Sequence, residues 1–376
     1  MKRNSIVFLI MIMLSQSGYG QNQVTLSECY DLAESNTGLL REKENYALIS
    51  GLKDENIRKN LMPSFDLGGT FLYNSSVIDM GSTLGNLPFP GIADAISPMP
   101  HEQYRLTLEI NQVIYDGGAV KNARALGQTE LAISQKETET GIRRIRDEVT
   151  GYFFNILLLS RQAEVLNNYL EVLNKKTSAL QSAIDNGAAL RSDLDVLCSE
   201  KLKLGQQISE NIIKKNALVR ILSDMTGKAI DPSSLFVLPE FSSTLSRELR
   251  RPEIDLLDLG MNRLDAVVAT VESQRKPRAF GLATLGYGNP PGNNFLRDEF
   301  APYYVVGAGL KWNIFDWNRT RNEKEILAVQ KTILEDRKKD LSDNLKRLLD
   351  AVKAEIDGLN SLLATDIDLI ALRERI

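Results

Sequence analysis

The spacing of apolar residues alternates along this chain between a helical period and a period of two. The longest helical stretch, Gly118 to Met225, contains no proline. Its second half sets Leu194, Leu197, Lys201, Leu204, Ile208, Asn211, Lys215, Leu218, Leu222 and Met225 at alternating steps of three and four, the a/d spacing of a coiled coil. Its first half carries a matching stripe through Ile142, Ile145, Val149, Tyr152, Phe153, Ile156 and Leu157. A turn at Asp185-Asn186-Gly187 folds one arm back on the other. At ~1.5 Å per residue, the arms reach between about 50 and 100 Å. A hairpin of that length has no compact core of its own and needs further partners.

Upstream, Thr25-Leu26-Ser27-Glu28 opens a helix as a capping box, Asn36-Thr37-Gly38 breaks it, and a second helix runs from Leu39 to Leu61, where Pro63 stops it. Four strands are predicted: Phe65–Tyr73, Tyr104–Tyr115, Ala279–Tyr287 and Tyr303–Phe315. In the first, Phe65, Leu67, Phe71 and Tyr73 share a face; in the second, Tyr104, Leu106, Leu108 and Ile110 face away from Arg105, Thr107, Glu109 and Asn111. Pro232 and Pro239 make the stretch after the hairpin an irregular connector, and a helix from Arg251 to Arg275 follows. A last helix starts after Asp316.

That order is a duplication: helix, proline stop, strand, loop, strand, aromatic-Asp turn and long helix occur twice. Ile114-Tyr115-Asp116 matches Ile314-Phe315-Asp316 at an offset of 200. The same offset maps Ile376 onto Lys176, inside the outgoing arm of the hairpin. The expected organisation is therefore a signal peptide (1–20), a first repeat with two strands and a complete hairpin (21–230), a connector (231–250), and a second repeat (251–376) that is incomplete at its C-terminal end.

Lys2 and Arg3 before the apolar run Ile6–Leu14, with Gly18-Tyr19-Gly20 after it, read as an export signal cut after Gly20. No later segment approaches the ~20 apolar residues of a membrane helix. Acidic residues outnumber basic ones, 49 to 45, which gives no footing for nucleic acid. One histidine, His101, and two distant cysteines, Cys29 and Cys198, argue against a metal centre or a disulfide framework, although a single bridge stays open. Thr226-Gly227-Lys228 lacks the glycines of a phosphate loop. No catalytic, cofactor-binding or metal-ligating residue is expected, and the chain does not read as an enzyme.

The strands carry the functional signal. Alternation alone fits a soluble β-sandwich as well as an outer-membrane barrel. Strands of roughly 9–11 residues suit a tilted bilayer crossing, and aromatics gather near their ends. What favours the barrel is the charged opposite faces, suited to a wet lumen, together with a strand count that calls for sharing between chains. Tyr73, Tyr104, Leu106, Leu108, Tyr304 and Trp312 form the expected lipid-facing and girdle set, with Arg105, Glu109 and Lys311 on the lumen side. Four strands are too few to close a barrel, whose smallest common form has about eight, so several chains must share one.

The chain resembles the TolC family of outer membrane efflux channels. The resemblance rests on Leu-Ser-Glu-Cys-Tyr-Asp-Leu-Ala (Leu26–Ala33), the strand exit Tyr115-Asp116-Gly117-Gly118, the turn Gly187-Ala188-Ala189-Leu190-Arg191-Ser192-Asp193-Leu194, and Arg251-Pro252-Glu253-Ile254. It implies a mainly α fold with β, in which a duplicated strand–strand–long hairpin unit builds a homotrimer with a shared transmembrane β-barrel and a periplasmic α-helical tunnel. It also implies passive export from a Gram-negative cell, with an inner-membrane pump and a periplasmic adaptor as partners. Gly187, Leu190, Ser192, Asp193 and Leu194 would then be the adaptor-docking tip; as a plain turn, the same stretch would use Ser192 or Asp193 to cap the returning helix. The family's entrance constriction lies on the second hairpin's return arm, so no gating residue is assigned. A periplasmic adaptor or an envelope coiled-coil scaffold is the alternative.

Overall fold

The structure, a computed structural model, describes residues 23–78, 99–240, 251–294 and 297–375. The expected signal peptide and residues 241–250 of the expected connector lie outside these. The elements run β1 (Gln23–Val24), α1 (Leu26–Asn36), α2 (Leu39–Lys59), β2 (Ser64–Tyr73), β3 (Glu102–Tyr115), α3 (Ala119–Asp185), α4 (Arg191–Thr226), β4 (Leu235–Phe236), α5 (Pro252–Ser273), β5 (Arg278–Asn289), β6 (Ala301–Lys311) and α6 (Arg319–Arg373). The described residues fall into two compact units, one drawn from Met1–Glu44 and Glu137–Glu248, the other from Asn45–Lys136 and Leu249–Ile376.

In the first unit, the base of the hairpin holds the core. Val149, Phe153 and Ile156 of α3 meet Val219 and Leu222 of α4, and α1 adds Leu26, Cys29 and Ala33. Phe236 closes the cluster, its ring edge-on to Phe153 at 5.3 Å. Of the ten positions of the predicted α4 seam, only Lys201 is exposed, so the three–four spacing reports the packed face faithfully. The connector departs from expectation. It contains β4, which pairs in parallel with β1 through Val24↔Phe236, and Val237 N–H donates to Val24 C=O at 3.1 Å. Two residues cannot display a periodicity, which is why the pattern missed both strands.

Polar contacts fix α1 on the hairpin base. Asn36 Nδ2 donates to the carbonyls of Asp224 (3.2 Å) and Met225 (3.1 Å), satisfying the orphan end of α4 before its left-handed cap Gly227. Tyr30 Oη and Thr150 Oγ1 share a hydrogen bond of 2.7 Å, and Arg146 pairs with Glu34 while lying over the Tyr30 ring. Cys29, 1% exposed, is a free thiol that burial pushes up to about 11; the Glu28 charge adds to the shift and Lys228 opposes it. Cys198 is free and exposed, so the bridge that the sequence left open is not formed.

In the second unit, one antiparallel sheet of order β2-β3-β5-β6 unites the strand pairs of both repeats. The duplication is visible in how each pair hands over to its helix. Asp116 accepts from the N–H groups of Gly118 (2.8 Å) and Val120 (2.6 Å) at the start of α3. Asp316 accepts from Thr320 N–H (3.0 Å) and from the Thr320 hydroxyl at the start of α6. Those bonds hold the Asp316 carboxyl below its usual range. Each aspartate thus meets the positive end of its helix. Both handovers need two left-handed residues. The first copy uses Gly117 and Gly118 (φ +70° and +88°), whereas the second forces Trp317 and Asn318 there (φ +52° and +64°).

α5 and α6 pack antiparallel, and their register is marked by a ladder. Lys324, Lys331 and Lys338, seven residues apart, reach Glu272, Asp265 and Asp258, which recur at the same spacing in reverse. The Lys331 and Lys338 bridges measure 2.9 and 2.6 Å. Each partly exposed pair is worth only about 0.2–1 kcal/mol, so the ladder selects register more than it stabilises. The fourth strand is shorter than expected: β6 ends at Lys311, and Trp312 lies just beyond it, donating from Nε1 to the Arg275 carbonyl at 3.0 Å. Among the described residues, no helix is long and apolar enough to cross a membrane.

Two outcomes test this account of the fold. Gly118→Ala meets open space and should cost about 1–2 kcal/mol of left-handed strain. Gly117→Ala should cost clearly more, because its Cβ would also sit 2.8 Å from Lys276 Cβ. Thermal unfolding of the two variants gives the comparison, and equal losses would contradict it. In a Cys198→Ser background, a maleimide at pH 8 should leave Cys29 unlabelled until the protein is unfolded.

Candidate functional site

Two surfaces hold the residues singled out by the sequence: the sheet and the hairpin turn. In the sheet, residues paired directly across an antiparallel ladder point to the same side, and the register sorts the side chains. Phe71↔Tyr104, Leu106↔Tyr287, Leu108↔Leu285 and Leu285↔Tyr304 share one face, and Tyr73 continues it by alternation. This face is apolar and left open to solvent; Leu67, Tyr73 and Tyr304 are 74%, 66% and 76% exposed. Tyr104 anchors one end of it, packing on Phe71 at 5.0 Å and donating from Oη to Glu102 at 3.1 Å. Trp312 lies off the strand end, so its place on this face is set by its bond to Arg275 and not by the ladder.

Arg105, Glu109 and Lys311 occupy the opposite, polar face. The ladder orders that face into bands. At one end Arg105 stands between Thr70 and Gly288. Two pairs further along, Asp66 and Glu109 are direct cross-strand partners, and at the far end Arg278 is opposite Lys311. Like charges directly opposite each other destabilise a sheet, so these pairings are not chosen for stability. Alternation alone revealed Glu109 and Lys311. Their like-charged partners were invisible because strand register is not written in a single strand. A concavity of about 600 Å³ adjoins the Arg278–Lys311 end, with Asn111, Val120 and Phe280 among its walls.

Among the described residues, the outer strands of the sheet, β2 and β6, each have one unpaired edge. Across β5 the glycines have a specific use. A Cβ on Gly286 would overlap the Tyr303 ring, and one on Gly288 would strike the Tyr104 carbonyl and meet Arg105 Cγ at 3.4 Å. Only glycine lets both side chains lie flat over that strand.

At the hairpin turn, α3 ends in a Schellman motif: Ala188 N–H donates to Ala183 C=O (2.7 Å) and Gly187 N–H to Ile184 C=O (2.9 Å). Gly187 takes φ +73°, with open space where its Cβ would be. The returning helix α4 is preceded by Leu190 as N-cap, without a side-chain cap bond. This corrects the expectation that Ser192 or Asp193 caps it. Both lie inside the first turn, because Leu190 rather than a polar residue takes the extended cap conformation. Leu190 is 69% exposed, Ser192 and Asp193 are exposed, and Leu194 turns back into the seam half-buried. Among the described residues, no group of His, Cys, Asp or Glu could hold a metal ion.

Comparison with known proteins agrees with this geometry. Residues 56–201 match the family model of outer membrane efflux proteins, a span that runs from the end of α2 through β2, β3, α3 and the turn. No curated protein sequence matches the chain. Among solved structures, the fold is similar to the CmeC outer membrane channel of Campylobacter jejuni, with TM-score 0.60 and 16% identity over 85% of this chain and 68% of that one. It is similar to CusC, described in terms of folding and transmembrane channel formation, with TM-score 0.64 and 12% identity over 90% and 79%. It is also similar to the outer membrane protein VceC of Vibrio cholerae, with TM-score 0.60 and 14% identity over 84% and 75%.

Proposed function

We propose that this chain, whose residues 56–201 match the family model of outer membrane efflux proteins, is the exit duct of an export assembly in the outer membrane. The observation that carries the reading is the sheet: one open apolar face, one charged face, and two unpaired edges. Water tolerates a free edge, whereas hydrocarbon does not, since each unsatisfied backbone group there costs several kcal/mol. A sheet with this apolar face therefore enters a bilayer only if its edges are paired. Three copies of the four-stranded sheet, with β6 of each chain against β2 of the next, give a closed barrel of twelve strands. Tyr73, Tyr104, Leu106, Leu108, Tyr304 and Trp312 then meet lipid and its interface, and Arg105, Glu109 and Lys311 line a wet lumen.

The hairpin supplies the docking tip. Gly187, Leu190, Ser192, Asp193 and Leu194 present a bare turn, an exposed leucine and a carboxylate. Those features suit a helical-hairpin partner, read here as a periplasmic adaptor that links the duct to an inner-membrane pump. The duct itself performs no chemistry. An adaptor role for this chain is not favoured, because it would leave both strand pairs without a use.

Fractionation tests the location: the protein should be recovered in detergent-extracted outer membrane, and recovery in the soluble periplasm contradicts the reading. Leu106→Arg on the apolar face should impair insertion, by about 2–4 kcal/mol at mid-bilayer depth. Thr107→Arg on the polar face should insert normally. Gly187→Trp or Asp193→Lys should abolish export, read as retention of a fluorescent substrate in cells, while the oligomer survives on native gels. Loss of the oligomer would assign these residues to folding instead.

A further inference from the structure

The charged face of the sheet contains a pair of donors that the fold does not use. Gln103 and Arg105 are two residues apart on β3, so both side chains stand on the polar face, about 7 Å apart along the strand. Gln103 is 2% exposed, yet its side-chain Nε2 has no hydrogen-bond partner. Arg105 Nε is likewise buried and unpartnered. Leaving a buried donor unmatched costs about 1–3 kcal/mol, and more for a charged group.

Among the described residues, the nearby acids do not answer them. Glu102 sits on the opposite face and accepts from Tyr104, and Asp298 accepts from Asn289 at 2.8 Å. The Asp66–Glu109 pair lies about four residues further along the strands, on the order of 13 Å away. The surroundings are also shaped for this pair. Gly288 lets the Arg105 stem lie over β5, and Gly286 beside it makes room for the Tyr303 ring. Two neighbouring buried donors, one of them cationic, beside an aromatic ring and without an acceptor among the described residues form a cradle for an oxyanion.

We propose that Gln103 and Arg105 form an anion-binding station on the lumen wall, taking carboxylate, phosphate or sulfonate groups of passing solutes. The station rests on the exit-duct reading, which turns this face of the sheet toward the lumen. It makes the outer band of the lumen favour anions, in contrast to the Asp66–Glu109 band behind it.

The test is single-channel recording of the purified protein in planar bilayers. Under a KCl gradient, Arg105→Ser should move the reversal potential toward potassium, lowering the chloride-to-potassium permeability ratio several-fold. Inorganic phosphate should partially block chloride current through the wild-type channel. Arg105→Ser and Gln103→Leu should weaken that block at least threefold, whereas Arg105→Lys should preserve selectivity yet weaken the block, because it keeps the charge and loses the Nε–H. Lys311→Gln, at the other end of the same face, should leave the block unchanged. Conducting Arg105→Ser channels with wild-type selectivity and block would overturn the station alone, as would an equal loss of block in Lys311→Gln. Absence of any wild-type conductance would instead overturn the exit-duct reading, and the station with it.

Discussion

Backbone hydrogen bonding at the two edges of the sheet constrains everything else in this protein. Among the described residues, β2 and β6 each offer a row of unpaired N–H and C=O groups on one side, while Phe, Tyr and Leu cover the face between them. In water, such a sheet would be an aggregation site. In hydrocarbon, it is admissible only when each edge meets another strand. Placing this sheet in a bilayer therefore carries with it a demand for further strands at both edges.

The duplication solves a second problem, how to convert a strand into a helix twice with the same geometry. Asp116 and Asp316 do the same work: a carboxylate beyond the strand end satisfies the first N–H groups of the helix and suits its positive pole. The two copies differ in how they accommodate the left-handed pair between aspartate and helix. Gly117 and Gly118 adopt it freely, and Gly117 is further confined by Lys276. Trp317 and Asn318 adopt it against preference, with Trp317 stacked edge-on against Phe315 at 4.9 Å.

Much of this was legible in the sequence, and the reasons it was or was not are physical. Long elements with a strong period, the hairpin arms and the four strands, were visible because many residues vote for one phase. The alternation of β3 separated Arg105 and Glu109 from Tyr104, Leu106 and Leu108, and the ladder keeps that separation. What escaped was information held between elements. The β1–β4 pair is too short to have a period. The like-charge pairings Asp66–Glu109 and Arg278–Lys311 depend on register. The Lys324, Lys331 and Lys338 ladder was present as a heptad in the sequence, but only its partner heptad on α5 gives it meaning. Ser192 and Asp193 looked like caps by residue type, whereas the chain makes its entry at Leu190. Trp312 looked like part of a strand running to Phe315, whereas the strand stops at Lys311.

The central claim is that one face of this sheet meets lipid and the other meets water. Nitroxide labels placed singly at positions 104 to 111, in a background without Cys29 and Cys198 and in native outer-membrane vesicles, test it directly. Power saturation with oxygen and with a water-soluble nickel chelate reads lipid and water exposure at each position. The account predicts a period of two, with oxygen dominant at 104, 106, 108 and 110 and the chelate dominant at 105, 107, 109 and 111. Chelate access at every position, or no alternation, would contradict it.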